Sequence, residues 1–244
     1  MEDSEPPSSL DKYFCDLKIS DSDRTSVKGY MGLLQDYSPT TYNHSVNVLK
    51  TLMNLADFVN ENRCNLDANG IRLPDDTKKL FFSGILHDMG KIRINRRILE
   101  NFWASRDQFI DEVKGHSLEG FKILTGDRED LNLRCKGLKD HPFAGLVCLL
   151  HHEYQEDCYP KDLPDLSNHF SEKDVQLGFD YAALIALADS YDAAVNRNGH
   201  VSHYEGMEIL KAQTKPNEKK LLDLIGDESE RIFVKERELV LNLV

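Results

Sequence analysis

Cysteine is scarce in this 244-residue chain, and the little there is forms no pattern. Cys15, Cys64, Cys135, Cys148 and Cys158 are scattered, odd in number and never spaced C-x-x-C. That excludes a disulfide framework and a thiolate zinc site, and it suits reduced thiols in a cytosol. Long apolar runs are missing too: nothing approaches the ~18 uninterrupted apolar residues of a membrane span. Met1 to Asp11 is acidic and Pro/Ser-containing, without the basic start and apolar stretch of a secretory signal, so the expected location is the cytoplasm. Basic charge is in deficit, with 30 Lys and Arg against 42 Asp and Glu, a net −12. Long-range attraction to duplex nucleic acid or to an anionic membrane is therefore not expected. A phosphate ester would have to be met locally, by metal or by a few placed cations. β-Branched alternation is also rare, and there is no internal repeat or low-complexity tract.

What remains is helical periodicity. Residues 1–10 read as a disordered tail and 11–38 as an N-terminal helical extension. Ser38-Pro39 offers an N-cap with proline at the first helical position, opening a helix to about Asn60. Its positions His44, Val48, Leu52, Leu55 and Val59 recur at the helical period. Cys64–Pro74 reads as a polar connector with an Asn-Gly turn. Asp75 or Asp76 caps a second helix carrying Leu80, Phe81, Ile85 and Leu86, with Gly90 placed to stop it. Ser105 and Gln108 form a capping-box pattern for a helix towards Leu124, bent at Gly115. Another helix runs from His141-Pro142 to about His152, and 153–170 is a long loop. Ser171 opens the next, to about Asn196, and Ser202 with Glu205 boxes a further one. The charged amphipathic segment 214–244 reads as helices packing on the same domain, with a homodimer contact or a plain surface helix as alternatives. The expected fold class is all-α.

Five of these helices carry a His or Asp in a telling place: His44, His87-Asp88, His116, His151-His152 and Asp189. Imidazole and carboxylate without thiolate suit iron, manganese or zinc rather than a structural zinc finger. Helix-borne ligands projecting into a bundle core are one way to hold two metals. Asp189 follows Ala182 to Ala188, an apolar run in which a buried carboxylate is costly without a cation. Taken singly, any of these histidines could be structural; their joint order carries the argument.

That order, His44, His87-Asp88-Met89-Gly90-Lys91, His116, His151-His152-Glu153 and Asp189-Ser190-Tyr191-Asp192-Ala193, resembles the HD superfamily of metal-dependent phosphohydrolases. Within it, the chain is most similar to the HD-GYP cyclic dinucleotide phosphodiesterases, over about residues 39–213. The resemblance implies an HD-domain helical bundle around a binuclear metal centre. The implied ligands are His44, His87, Asp88, His116, His151, His152 and Asp189. Asp88 would bridge the ions and act with Lys91 in catalysis, while Lys91 and Arg197 would bind substrate. Implied cofactors are two divalent ions, iron or manganese first, with magnesium, nickel or zinc compatible. The implied reaction is hydrolysis of a nucleotide phosphodiester, most of all a cyclic dinucleotide, by metal-activated hydroxide.

There are departures from the family pattern. The loop after His151-His152-Glu153 is glycine-free and has Cys158 before Tyr159-Pro160, where the family has glycine. Thr40 stands where three-metal members carry glutamate, which favours two ions. Asn198 stands at a family arginine, with Arg197 adjacent. His141-Pro142-Phe143-Ala144-Gly145 imitates a histidine motif of the family, but His116-Ser117-Leu118-Glu119-Gly120 follows the His-Asp pair at the expected distance and is preferred. A di-iron oxygenase on the same ligand order, and a nucleotide-binding signalling module with little turnover, are the alternative readings. His152 and Lys91 argue against the first, and the intact ligand set against the second.

Overall fold

The computed structural model describes residues 9–68, 76–100, 112–127, 141–154, 158–197, 201–214 and 216–234. Helix α1 (Ser9–Asp16) takes in Ser9 and Leu10, which the sequence places in the tail, because Leu10 is buried and extends the apolar face. Helix α2 (Asp21–Tyr37) starts at Ser20, whose hydroxyl accepts from Asp23 N. Helix α3 (Pro39–Ala68) follows a cap in which Ser38 Oγ accepts from Thr41 N at 3.2 Å. Its expected stop at Asn60 is overrun by eight residues. Apolar periodicity fades there, yet nothing between Glu61 and Ala68 breaks a helix.

Helix α4 (Thr77–Leu86) is capped by the Asp76 side chain, which accepts from Lys79 N. It ends four residues before Gly90. The chain then turns at His87-Asp88 and tightens into a 3₁₀ turn, Met89–Arg93, followed by the short α5 (Arg96–Leu99). Gly90 is therefore no helix stop. A Cβ there would collide with the His116 carbonyl and sit 2.6 Å from Gly120 N, so glycine is what lets this turn lie on the next helix. Residues 112–114 are helical, the chain breaks at Gly115, and α6 (His116–Leu124) begins. The expected Ser105–Gln108 cap lies outside the described residues, as does the Asn69-Gly70 turn.

Helix α7 (Pro142–Leu150) starts at the expected proline but ends two residues early, leaving His151 as its C-cap. Segment 158–170 contains no helix. Helix α8 (Glu172–Asp192) opens with a complete Ser171–Asp174 capping box and passes into a π-helical turn, Ala193–Arg197. Helix α9 (His203–Gln213) has a second box, Ser202 with Glu205. Helix α10 (Pro216–Ile225), a 3₁₀ turn and α11 (Ser229–Phe233) complete the described chain. No strand occurs among the described residues, and the fold is an all-α bundle.

The core lies on both sides of α3. Val48, Leu52, Leu55 and Val59 pack with the buried faces of α7 and α8, including Leu146, Leu150, Leu184 and Ile185. Leu49 and Met53 pack instead with Phe81, Ile85 and the N-terminal residues Phe14, Tyr30 and Leu34. At ~1.5–3 kcal/mol per fully buried large apolar side chain, these faces hold α3, α4, α7 and α8 in fixed register. Phe233 of α11 packs on Tyr191, and Asn54 donates to Ile232 O, which seats the C-terminal helices on the same body. No helix among the described residues is long and apolar enough to cross a membrane.

Candidate metal centre

The seven side chains converge where α3, α6, α7, α8 and the turn after α4 meet. Asp88 is at the middle, with Oδ2 3.4 Å from both His44 Nε2 and His87 Nε2, and Oδ1 3.2 Å from His116 Nε2. Asp189 Oδ1 reaches His44 Nε2 at 2.9 Å. Three sets have donor atoms mutually within 4.8 Å: His44, His87 and Asp189; His87, Asp88 and His151; and His116, His151 and His152. All seven residues are buried. The first and third sets share no member, and Asp88 lies between them.

Local structure dictates how the rings point. His87, His116 and His151 each follow a helical turn, and each donates Nδ1–H to the carbonyl three residues back. The acceptors are Gly84 O at 2.8 Å, Val113 O at 2.5 Å and Cys148 O at 2.7 Å. A carbonyl can only accept, so the proton sits on Nδ1 and each Nε2 presents a lone pair inward. His44 makes the same choice differently, through Asp192 Oδ2 at 2.7 Å. The buried thiol of Cys148 donates to His87 O at 2.8 Å, tying α7 to the His-Asp turn; burial pushes that thiol's pKa up, and it stays protonated.

This arrangement tests whether a metal fits. His116 Nε2 and His151 Nε2 are 3.4 Å apart, and His152 Nε2 is 3.3 Å from His116 Nε2. Burial lowers the pKa of His116, against the pull of Asp88, and lowers that of His151 to about 3, helped by His87 and His116. Burial, with His151 and His116, also keeps His152 well below its ordinary value. Three neutral rings therefore crowd their Nε2 atoms together, and between His116 and His151, whose protons both sit on Nδ1, there is no proton to share. His44 Nε2, His87 Nε2 and Asp88 Oδ1 are buried without a hydrogen-bond partner of good geometry. Such groups are costly to bury, and divalent cations held among them would satisfy them. The donor set of imidazole nitrogens and carboxylate oxygens fits that cation.

Lys91, on the 3₁₀ turn, is buried with Nζ 2.5 Å from Asp88 Oδ2. Burial works against ionised Asp88, but the charges of His87 and Lys91 hold its carboxyl well below the usual range. Burial works against ionised Asp189 too, yet with the imidazole of His44 beside it its carboxyl is held well below the usual range. Arg93, Arg96 and Arg97 are exposed, as a basic surface stripe. Arg197 ends the π-helical turn; its side chain lies outside the described part, as does Asn198. His141 is elsewhere, stacked on Phe82 with centroids 3.9 Å apart and 3.2 Å from Asp23.

Two neighbours of the site carried no role in the sequence reading. Asp192, beneath His44, was detectable only as a second acidic residue three positions after Asp189, on the same helical face. Tyr159 stacks on His152 at 4.1 Å with an interplanar angle of 26°.

An all-helical bundle that gathers five histidines and two aspartates around one buried point defines a protein built to bind divalent metal. The profile of one family, the HD domain, matches residues 41–194, more than half of the chain, and the chain belongs to that family, within the superfamily of metal-dependent phosphohydrolases. Among solved structures, the HD domain of the L. monocytogenes phosphodiesterase PgpH is similar, at 18% identity and a TM-score of 0.48. That match covers 84% of this chain and 92% of the other. No curated protein matches the sequence.

Proposed function

We propose that the chain is a phosphodiesterase that hydrolyses a nucleotide phosphodiester, with a cyclic dinucleotide as the leading substrate class. The observation that carries the reading is the pair of opposed, unprotonated Nε2 atoms of His116 and His151, with His152 beside them, next to Asp88 and Lys91. His44, His87, Asp88 and Asp189 on one side, and Asp88, His116, His151 and His152 on the other, would hold two ions, in a domain spanning about residues 39–213.

Bound divalent ions would polarise the phosphate and lower the pKa of a ligated water towards neutrality. The protein's own residues do the rest. Asp88 and Asp189 hold charge where imidazole alone would leave an excess, and Lys91 donates to a non-bridging phosphoryl oxygen as charge develops there. To do so its ammonium moves from Asp88 Oδ2 to the substrate. Arg197, next to the centre in sequence order, offers a second phosphate contact. The buried walls of α3, α7 and α8 exclude bulk water and keep these interactions strong. The dinucleotide class is supported by the order of motifs and by Tyr159-Pro160 after His151-His152-Glu153. The glycine-free loop before Tyr159 sets it apart from the common form.

The test is metal analysis of the purified protein, followed by assays of cyclic and linear dinucleotides with Mn(II) and Fe(II). About two ions per chain and turnover of a phosphodiester are expected. A fully metallated protein that turns over no phosphodiester, or that consumes O₂ with an organic substrate, overturns the reading.

A further inference from the structure

Five histidines meet at the centre, and among the described residues only one has an anion behind it. His87, His116 and His151 give Nδ1–H to neutral carbonyls, and His152 Nδ1 is buried without a hydrogen-bond partner. His44 alone among them gives its Nδ1–H to a carboxylate, Asp192 Oδ2 at 2.7 Å. Asp192 is itself buried, and its other oxygen accepts from Asn196 Nδ2 at 2.6 Å, from the π-helical turn. Asp189 and Asp192, three residues apart on α8, thus lie at the two ends of one imidazole, at 2.9 and 2.7 Å.

The two disjoint donor sets therefore differ in charge. One has two imidazoles and the Asp189 carboxylate, with Asp192 polarising His44 from behind. The other has three imidazoles and no carboxylate of its own, and one of its rings, His152, lacks a partner at Nδ1. A carboxylate behind a ligating histidine fixes its tautomer and raises its basicity, typically worth 10–100-fold in metal affinity.

Building on the metal-centre reading above, we propose that Asp192, anchored by Asn196, is a positioning residue that makes the two metal positions unequal. The His44–His87–Asp189 side fills first and tightly, and the His116–His151–His152 side fills second and more weakly. The first side, with a carboxylate of its own besides the shared Asp88, suits manganese or iron; the imidazole-rich side accepts zinc or nickel as readily.

The test is titration of metal-free full-length protein with Mn(II), with free ion followed by electron paramagnetic resonance. Wild type should bind in two separated steps. Asp192→Asn keeps an acceptor for His44 but removes the charge, and should weaken the tight step roughly 10-fold, leaving the weak step unmoved. Asp192→Ala removes both and should approach roughly 100-fold. Asn196 is exposed, so Asn196→Ala keeps the fold, confirmed by an unchanged metal-free melt, and should weaken the tight step in the same direction. Two equal steps in wild type overturn the proposal. So does Asn196→Ala together with Asp192→Asn leaving both steps unchanged, or weakening both alike. A wild-type chain that binds no Mn(II) at all instead removes the metal-centre reading itself.

Discussion

His116 and His151 face each other Nε2 to Nε2 at 3.4 Å, each with its other ring nitrogen committed to a carbonyl three residues back. Neither nitrogen can donate to the other, so only a cation between them turns a repulsive contact into an attractive one. His116→Ala and His151→Ala should each reduce bound metal from about two ions per chain to about one. They should also lower phosphodiester turnover at least 10–100-fold, a range set by the smaller loss of an outer-shell partner. Elemental analysis of the variants checks this; two ions retained in both would be fatal to the assignment. His141→Ala is the control: His141 stacks on Phe82 well away from the centre, so metal content should not change.

Among the described residues, Lys91 is the only lysine buried at the centre, held against Asp88 Oδ2. If it stabilises charge that develops only in the transition state, Lys91→Ala should lower kcat roughly 10²–10³-fold with little change in KM. Metal content should stay at the wild-type value, since an ammonium is no ligand. Steady-state kinetics alongside metal analysis distinguish this from loss of the centre. A variant with unchanged kcat would remove Lys91 from the chemistry.

The set of side chains that converge was legible because each candidate sits at a helix end or on an apolar face, where a polar residue stands out against periodicity. His44 continues the face Val48, Leu52, Leu55 and Val59, and Asp189 follows a run of small apolar residues. Choosing His116 over His141 needed only distance along the chain, and the fold sends His141 to the N-terminal helices. The role of Asp192 was not legible, because its partner His44 is 148 residues away and no local pattern links them. Gly90 misled for a related reason. Its sequence context allows a helix stop, whereas its need for a missing side chain comes from the backbone of His116, a tertiary contact. The length of α3 was missed because apolar periodicity fades after Asn60, while no residue from Glu61 to Ala68 is a glycine or proline that would stop a helix.

Buried rings kept neutral also fix how stability depends on pH. His116, His151 and His152 have folded-state pKa values below the ordinary ~6.5, chiefly through burial, with His151 at about 3. Below about pH 6.5 the unfolded chain takes up protons that the folded chain refuses, so stability is present above that pH and is lost as pH falls. Asp88 and Asp189, held well below the carboxylate range, have the same sign at more acidic pH. His87 opposes them: burial disfavours its cation, but Asp88 outweighs that and raises its pKa, so its contribution is lost as pH rises. Three lowered histidines against one raised give a net fall. The Tm of chelator-treated protein should therefore drop from pH 7 to pH 5, with a shallower drop in His151→Gln. A Tm that is flat or rises towards pH 5 would contradict the neutral-ring picture.

Two glycines in helical or tight segments should respond to alanine with opposite signs. At Gly90 the added Cβ meets backbone, the carbonyl of His116 and the amide of Gly120 at 2.6 Å, and backbone cannot rotate away. The turn and α6 must separate, which also draws His116 from Asp88. Overpacking of this kind costs about 1–3 kcal/mol, or roughly 2–12 °C in Tm for a chain of this size. Gly32 lies inside α2 on an exposed face, and a methyl group added there would meet nothing within 4 Å. Gly32→Ala should therefore stabilise by about 0.5–1 kcal/mol, the helix-propensity difference alone. Thermal melts of both variants, with metal analysis of the first, separate a general cost of added methyl groups from a specific one. Only a close approach at Gly90 predicts loss of both stability and metal there while Gly32→Ala gains stability and keeps its ions; equal small shifts in both would mean that the His-Asp turn does not rest on α6.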